Sequence, residues 1–221
     1  PFTEESPESV KDCLRNYLGP ILLGVDPTNI VKVHERMDKA LKQNLLAKAG
    51  IDMACYDILG KRTGLPVYKI LGGHLRSEIA MAVLNGGAGP ADTTKEVTAG
   101  VETGIKTFMI KTGSLTLQED IARVKAVRDA APDVHLIIDA NQGWDKNSAI
   151  RFGKAVQEYN IEFLEQPIAY WDIGGLAEVR KSISIPISVD ETLCTIHDAV
   201  RVIEAGAADI FSVKVAKNGG I

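Results

Sequence analysis

Short apolar runs alternate with longer amphipathic stretches along most of the chain. Six runs rich in apolar residues occupy positions 79–84, 107–111, 135–141, 162–167, 186–191 and 209–216. Between them, apolar residues recur every three or four positions, as Leu117, Ile121, Val124 and Val127 do. This spacing is typical of an amphipathic helix, and strands that alternate with helices predict a parallel sheet in an α/β fold.

The last five runs each carry an ionisable residue at or near the C-terminal end: Lys111, Asp139, Glu165, Asp190 and Lys214. These residues are 28, 26, 25 and 24 positions apart. A strand and its return helix take roughly 25 to 30 residues, so this period is typical of βαβ units with one functional residue on each strand. A single Asp or Glu at a strand end is usually a helix cap or a solvated loop residue. Three carboxylates on consecutive strands instead predict an oxygen cage for a hard divalent cation, flanked along the chain by the two lysines.

The positions of the two lysines favour a closed (β/α)8 barrel of the TIM type, preceded by a cap domain. Lys111 and Lys214 are four strands apart, which is half the circumference of such a barrel and places them on opposite sides of whatever the metal holds. A doubly wound open sheet would separate them. A complete barrel takes about 250 residues by itself, and six strands would leave open sheet edges. We therefore expect the barrel to be incomplete in this chain and the sequence to be part of a longer protein.

The N-terminal third predicts helices. Ser6 and Pro7 fit an N-cap and first helical position, and further helices are expected near 28–42 and 44–61. The predicted division places a mainly helical part of the cap domain at 1–75 and the six strands that carry the site at 76–221.

Composition excludes several functional classes. The chain has 221 residues, a net charge of −4 and 45% hydrophobic residues, which is typical of a soluble globular protein. It has no basic cluster and no apolar stretch near the ~20 residues that span a bilayer, so neither a nucleic-acid partner nor a membrane partner is expected. Three widely spaced cysteines favour a reduced, cytoplasmic setting.

Several motifs, in order, carry a resemblance to a known family. They are the helical segment 51–73, the strand endings MIKTG, DANQGW, LEQP and DET, and the final VKVAKNGG. In these motifs the chain resembles the enolase superfamily, in its mandelate racemase and muconate lactonizing enzyme branch. A lysine on the sixth strand is similar to the muconate lactonizing, cycloisomerase-like subgroup.

The resemblance implies the site and its chemistry. Asp139, Glu165 and Asp190 would bind Mg²⁺, or Mn²⁺ in its place, and Lys111 and Lys214 would be the acid/base pair on opposite faces of a small carboxylate substrate. Removing a proton α to a carboxylate places a second negative charge beside the first, and a divalent cation stabilises the resulting enediolate. The resemblance also implies a cap domain of the α+β type and a symmetric homo-oligomer.

One position departs from the family pattern. The family usually has Lys-x-Lys at the end of the second strand, whereas this chain has Met109 and Lys111. The missing lysine would have placed a positive charge beside the base. Its loss weakens the case for symmetric racemase chemistry.

Three further polar residues adjoin the predicted ligands. Asn141 is expected either to reach metal or substrate or to shape its loop, and Gln166 either to orient ligands or to form a polar turn before Pro167. Glu191 is expected to bind a neighbouring basic group rather than the metal.

The predicted function is Mg²⁺-dependent abstraction of an α-proton, leading to isomerisation by a cycloisomerase or a racemase/epimerase. Two alternatives remain open. One is an acid dehydratase of the same family, and the other is a non-catalytic barrel with a binding role.

Overall fold

The computed structural model describes residues 5–86 and 89–221. It divides into two compact units. One comprises the described part of residues 1–79 together with Val213–Ile221, and the other comprises the described part of Ala80–Ser212. The division predicted at 75/76 remains a prediction, and the grouping of 213–221 with the first unit was not anticipated.

Helices build the first unit. They are α1 (Pro7–Asp12), α2 (Gly19–Leu22), α3 (Ile30–Ala40), α4 (Leu45–Thr63) and α5 (Val67–Ile70), with a π-helical stretch Cys13–Leu18 between α1 and α2. Ser6 caps α1 as predicted, by accepting a hydrogen bond from the Ser9 amide. The apolar faces of these helices meet in a small core that consists of Leu18, Val33, Met37, Ala47 and Cys55.

Six parallel strands build the second unit, in the order β1 to β6 along one sheet. The strands are β1 (Ala82–Asn85), β2 (Thr107–Lys111), β3 (His135–Asp139), β4 (Ile161–Glu165), β5 (Ile187–Val189) and β6 (Ile210–Phe211). The intervening helices are α6 (Pro90–Glu102), α7 (Leu117–Ala130), α8 (Lys146–Val156), α9 (Ile173–Ser182) and α10 (Ile196–Ala205). The prediction of a parallel α/β fold after a helical N-terminal segment is confirmed.

One face of this sheet packs against the helices. Phe108, Ile110, Leu136, Ile138 and Leu164 lie on it and belong to the core of the unit. The approach is close at Gly100 of α6, where an added Cβ would lie 2.6 Å from a ring carbon of Phe108. Because side chains alternate along a strand, the residues between these apolar positions point to the opposite face.

Two arginines tie segments together at the N-terminal ends of the strands. Arg128 of α7 donates hydrogen bonds to the carbonyls of Val134, Tyr159 and Asn160 at 2.9 Å, 2.9 Å and 3.2 Å. Arg180 of α9 forms an ion pair with Asp209, Nη2 to Oδ1 at 2.6 Å. The hydrogen bond from Arg180 lowers the pKa of the Asp209 carboxyl, and the Ile187 amide acts in the same direction.

The predicted sixth strand was too long. Residues 209–216 were expected to be a strand with Lys214 near its end, but β6 spans two residues and its ladder to β5 ends at Val189 and Phe211. Since β5 itself has three residues, it offers few partners to β6. Lys214 therefore lies beyond the strand.

No helix in the described part of the chain is long and apolar enough to cross a membrane.

Candidate active site at the carboxyl ends of the strands

A row of polar residues crosses four neighbouring strands at their C-terminal ends. The strand register pairs Lys111 with Asp139, Asp139 with Glu165, and Glu165 with Ser188. In-register residues of parallel strands point to the same side, so these side chains share the sheet face that is opposite to the helices. We call these four residues the polar row. The register thus places Lys111, Asp139 and Glu165 side by side at the carboxyl ends of neighbouring strands, while the roles predicted for them remain predictions.

Hydrogen bonds link Lys111 to the strand beside it. Its Nζ donates to Oδ2 of Asp139 and, at 2.8 Å, to Oδ1 of Asn141. The Asn141 amide donates to the other carboxylate oxygen of Asp139, also at 2.8 Å. The Asp139 side chain is 2% exposed, whereas that of Lys111 is 36% exposed. The ammonium group thus neutralises a buried carboxylate while remaining open to solvent on one side.

Asn141 continues the network towards β5. Its Nδ2 donates to Oε1 of Glu191 at 3.2 Å. A basic group was predicted to bind Glu191, but in the described part of the chain Oε1 accepts from the Asn141 side-chain amide. The other carboxylate oxygen of Glu191 is buried and has no hydrogen-bond partner within residues 5–86 and 89–221. Such an acceptor is costly to bury and is available to a cation or a donor group.

Gln166 holds the loop after β5. The side chain is fully buried, and its Nε2 donates to the Ile168 carbonyl at 2.9 Å and to Thr192 Oγ1 at 2.8 Å. Its Oε1 accepts from the amides of Asp190 and Thr192 at 3.0 Å and 3.1 Å. Between the two predicted roles, these contacts favour orientation of the loop that carries Asp190.

Ser188 was not among the site residues predicted from the sequence. It is 1% exposed, and its Oγ makes no hydrogen bond to the described part of the chain. The residue stands two positions before Asp190 and so has the same strand parity. That parity was the available signal. Asp190 lies beyond the end of β5, and Ser188 takes the place in the polar row.

Met109 lies on β2 two residues before Lys111, on the same face of the sheet as the polar row. The register places it beside Leu84, Ile137 and then Phe163, an apolar row on the same sheet face. The position where the resemblance expects a second lysine is thus occupied by a thioether among apolar neighbours.

Lys214 belongs to the other compact unit. Its amide donates to Asn218 Oδ1 at 2.9 Å, and the same segment is tied to α4 by a 2.7 Å hydrogen bond from the Ile221 amide to Asp52 Oδ2. Asp52 is fully buried. The predicted pairing of Lys214 with Lys111 remains a prediction.

The carboxylate oxygens in this region suit a hard divalent cation. Asp139, Glu165, Asp190 and Glu191 are all at most 7% exposed, and carboxylate oxygens are the ligands that Mg²⁺ prefers. Within the described ranges, however, no three His, Cys, Asp or Glu side chains lie close enough to hold a metal ion. Lys111 contacts Asp139 directly, so metal binding there requires this ammonium group to move. The residue types and the unsatisfied Glu191 oxygen fit the ion, while the assignment of Asp139, Glu165 and Asp190 as ligands remains a prediction.

Two family models match the chain. The one described as "Enolase C-terminal domain-like" matches residues 92–221, and "Mandelate racemase / muconate lactonizing enzyme, N-terminal domain" matches residues 1–72.

Curated relatives include an N-succinyl-L-Arg/Lys racemase of Bacillus cereus, 36% identical over 99% of this chain and 60% of the relative. A hydrophobic dipeptide epimerase of Enterococcus faecalis is 37% identical over 92% of this chain and 57% of the relative. Muconate cycloisomerase 1 of Pseudomonas putida is 34% identical over 98% and 58%. The chain therefore spans about three fifths of the length of these relatives.

Solved structures agree in fold. The crystal structure of the N-succinyl Arg/Lys racemase from B. cereus has a TM-score of 0.96 at 33% identity, over 99% of this chain and 60% of that chain. The dipeptide epimerase from E. faecalis, solved with Mg and the dipeptide L-Leu-L-Tyr, has a TM-score of 0.93 at 34% identity, over 99% and 61%.

Proposed function

Because the chain belongs to the mandelate racemase/muconate lactonizing enzyme family of the enolase superfamily, we propose that its protein is an isomerase that removes and returns the proton α to a carboxylate. The narrower proposal is a racemase or epimerase of an N-acylated amino acid or a dipeptide. Relatives named for these substrates, at 35% to 37% identity, support this choice.

The polar row carries the proposal. A lysine amine that is partly open to solvent stands in register with two buried carboxylates on the next two strands. A scaffold gains nothing from burying these charges together, since each buried carboxylate loses hydration. The arrangement is useful when the lysine exchanges a proton with a bound substrate and the carboxylates hold a cation.

Each residue has a proposed role. Asp139, Glu165 and Asp190 would hold Mg²⁺, an ion that is present in the structure of the dipeptide epimerase. When bound, the ion would supply the positive charge that makes an α-proton beside a carboxylate removable. Lys111 takes the proton from one face of the substrate, and Lys214 returns a proton to the other face.

The supporting residues act through these groups. Asn141 contacts both Lys111 and Glu191, so it keeps the amine and the loop after β5 in a fixed relation. Gln166 fixes the backbone at Asp190 and thereby orients the third proposed ligand. Ser188 offers a buried hydroxyl beside Glu165.

A second candidate is cycloisomerisation. Met109 is the reason to consider it, because the loss of the charge beside Lys111 weakens the case for symmetric racemisation. Relatives named muconate or chloromuconate cycloisomerases, at 31% to 34% identity, are consistent with this candidate.

Deuterium uptake from D₂O tests the proposal. The full-length protein is incubated, with Mg²⁺ or with a chelator, with pooled muconates, dipeptides, N-acyl amino acids and sugar acids, and products are read by mass spectrometry. Mg²⁺-dependent exchange at the α-carbon of a dipeptide or N-acyl amino acid supports the racemase or epimerase. Conversion of a muconate without such exchange supports the second candidate, and exchange that ignores the chelator contradicts both.

A further inference from the structure

An ion pair buried behind the polar row contacts the backbone around Lys111. Arg123 and Asp120 of α7 are 1% and 0% exposed, and Nη1 of Arg123 lies 3.2 Å from Oδ1 of Asp120. At i and i+3 on a helix the pair looks in sequence like an ordinary surface pair. Its burial is the unexpected feature, because buried ion pairs often contribute little to stability.

Three successive residues at the end of β2 are held by hydrogen bonds. The Lys111 carbonyl accepts from Arg123 Nη1 at 2.7 Å. The Thr112 amide donates to the Asp139 carbonyl at 2.8 Å, and the Gly113 amide donates to Asp120 Oδ2 at 2.8 Å. Two of these three contacts come from the ion pair, one on each side of Thr112.

The loop at Gly113 has little room to adjust. Gly113 has a positive φ of 85°, and an added Cβ would lie 2.8 Å from the Ala140 carbonyl oxygen and 2.9 Å from Gly143 Cα. The loops after β2 and β3 thus meet backbone to backbone. Loss of the hydrogen bond from the Gly113 amide to Asp120 is therefore expected to shift the adjacent backbone, including Lys111.

The ion pair is itself held in place by a buried contact to α6. Nε of Arg123 donates to Thr93 Oγ1 of α6 at 2.9 Å, and Thr93 is itself fully buried. Burial raises the pKa of the Asp120 carboxyl, while the Gly113 amide and Arg123 act in the opposite direction. The remaining amino group of Arg123 is buried without a hydrogen-bond partner in the described part of the chain, which is an arrangement poorly suited to stability alone.

We propose that Arg123 and Asp120 are positioning residues that set the place of Lys111 in the polar row. They touch no reacting atom and act through the Lys111 carbonyl and the Gly113 amide. This inference rests on the proposed function, because the place of Lys111 matters to turnover when Lys111 transfers the proton. The predicted defect is confined to the substrate face that Lys111 serves.

The test uses a variant in which the whole pair is removed. Single changes leave one buried charge unpaired and are expected to impair folding, whereas replacing both partners by apolar residues is often tolerated. The double variant Asp120→Leu/Arg123→Met is therefore compared with wild type in the full-length protein. Arg128→Met is the matched control, because Arg128 lies on the same helix and contacts carbonyls at the opposite ends of the strands.

The main readout is deuterium exchange measured separately for the two enantiomers of the substrate. The enantiomer that loses exchange in Lys111→Ala defines the Lys111 face. In the double variant we expect exchange on that face to fall about 30- to 100-fold, since a displacement near 1 Å costs about this much, and exchange on the other face to change less than about threefold. Arg128→Met should keep the ratio of the two faces. An equal fall on both faces, or no fall on either, would overturn the inference.

A crystal structure of the double variant without substrate gives a readout that does not depend on activity. We expect the backbone of residues 111–113 to move by about 1 Å relative to β3, and an unchanged backbone would overturn the inference. If Lys111→Ala and Lys214→Ala fail to separate the two faces, the proposed two-base function fails, and this structure still decides whether the pair positions Lys111.

Discussion

Replacing Gln166 by methionine should destabilise the protein far more than the same change at Gln142. Both glutamines lie in loops after a strand and both have a positive φ, 36° and 68°, so backbone strain is similar and largely cancels. Gln166 is fully buried and its carboxamide makes four hydrogen bonds. The carboxamide of Gln142 accepts one hydrogen bond, from the amide of the exposed residue Tyr170 at 3.0 Å. Methionine keeps the length of the side chain and removes all of these bonds.

The magnitude follows from the contacts. Each hydrogen bond lost at a buried site costs about 1 kcal/mol or slightly more, so the four bonds of Gln166 predict a loss of about 3 to 5 kcal/mol. Water can replace the single bond of Gln142, and we expect less than about 1 kcal/mol there. For a domain of this size 1 kcal/mol corresponds to about 2 to 4 °C, which predicts a fall in Tm of roughly 10 °C for Gln166→Met.

Thermal unfolding followed by far-ultraviolet circular dichroism measures both variants. The free energies of unfolding should differ by at least about 2 kcal/mol between them. If Gln166→Met and Gln142→Met melt within about 2 °C of each other, the carboxamide does not hold the loop that carries Asp190, and the role assigned to Gln166 is wrong.

Three further comparisons have defined outcomes. Asp209→Asn removes the ion pair with Arg180. Because the pKa of Asp209 is lowered in the folded state, the pair stabilises the protein at neutral pH, and this stabilisation is lost as the pH falls through that pKa. Urea titrations should therefore show a free energy of unfolding about 1 kcal/mol lower in the variant than in the wild type at pH 7, and no difference in strong acid. Gly100→Ala places a Cβ against the ring of Phe108 and should lower the free energy of unfolding by about 1 to 3 kcal/mol. Gly50→Ala has open space around the new Cβ in α4 and should raise it by up to about 1 kcal/mol. Equal melting temperatures of the two variants would contradict the packing at Gly100. Mg²⁺ at about 100 times its Kd should raise the free energy of unfolding of the wild type by about 2.7 kcal/mol. This increase should be absent in Glu165→Gln and retained in the control Glu162→Gln, because the Glu162 side chain lies on the same strand but is exposed.

Much of the fold was predictable because each element carries its own local signal. The apolar runs that form β2, β3 and β4 alternate with helices whose caps follow recognisable sequence patterns, such as the capping box of Thr116 and Glu119 at the start of α7. Parity along the strands then brought Lys111, Asp139 and Glu165 to one row. These are short-range properties, so a single sequence is enough to reveal them.

Other features depend on long-range packing that a single sequence does not display. The length of β6 is set by its pairing with the short β5, so the apolar residues around Lys214 gave a false strand. Asp120 and Arg123 look like a solvated helical pair, and their burial follows from how α7 packs on α6 and β2. Ser188 carries no charge and attracted no notice until the register placed it beside Glu165.

We propose that Lys111 and Lys214 exchange protons with opposite faces of one substrate. Enantiomer-resolved deuterium exchange in Lys111→Ala and Lys214→Ala, with Mg²⁺ and the substrate that the pooled panel identifies, is the decisive experiment. We predict that neither variant interconverts the enantiomers and that each retains exchange with a different one. Equal residual exchange of both enantiomers in both variants would contradict the account.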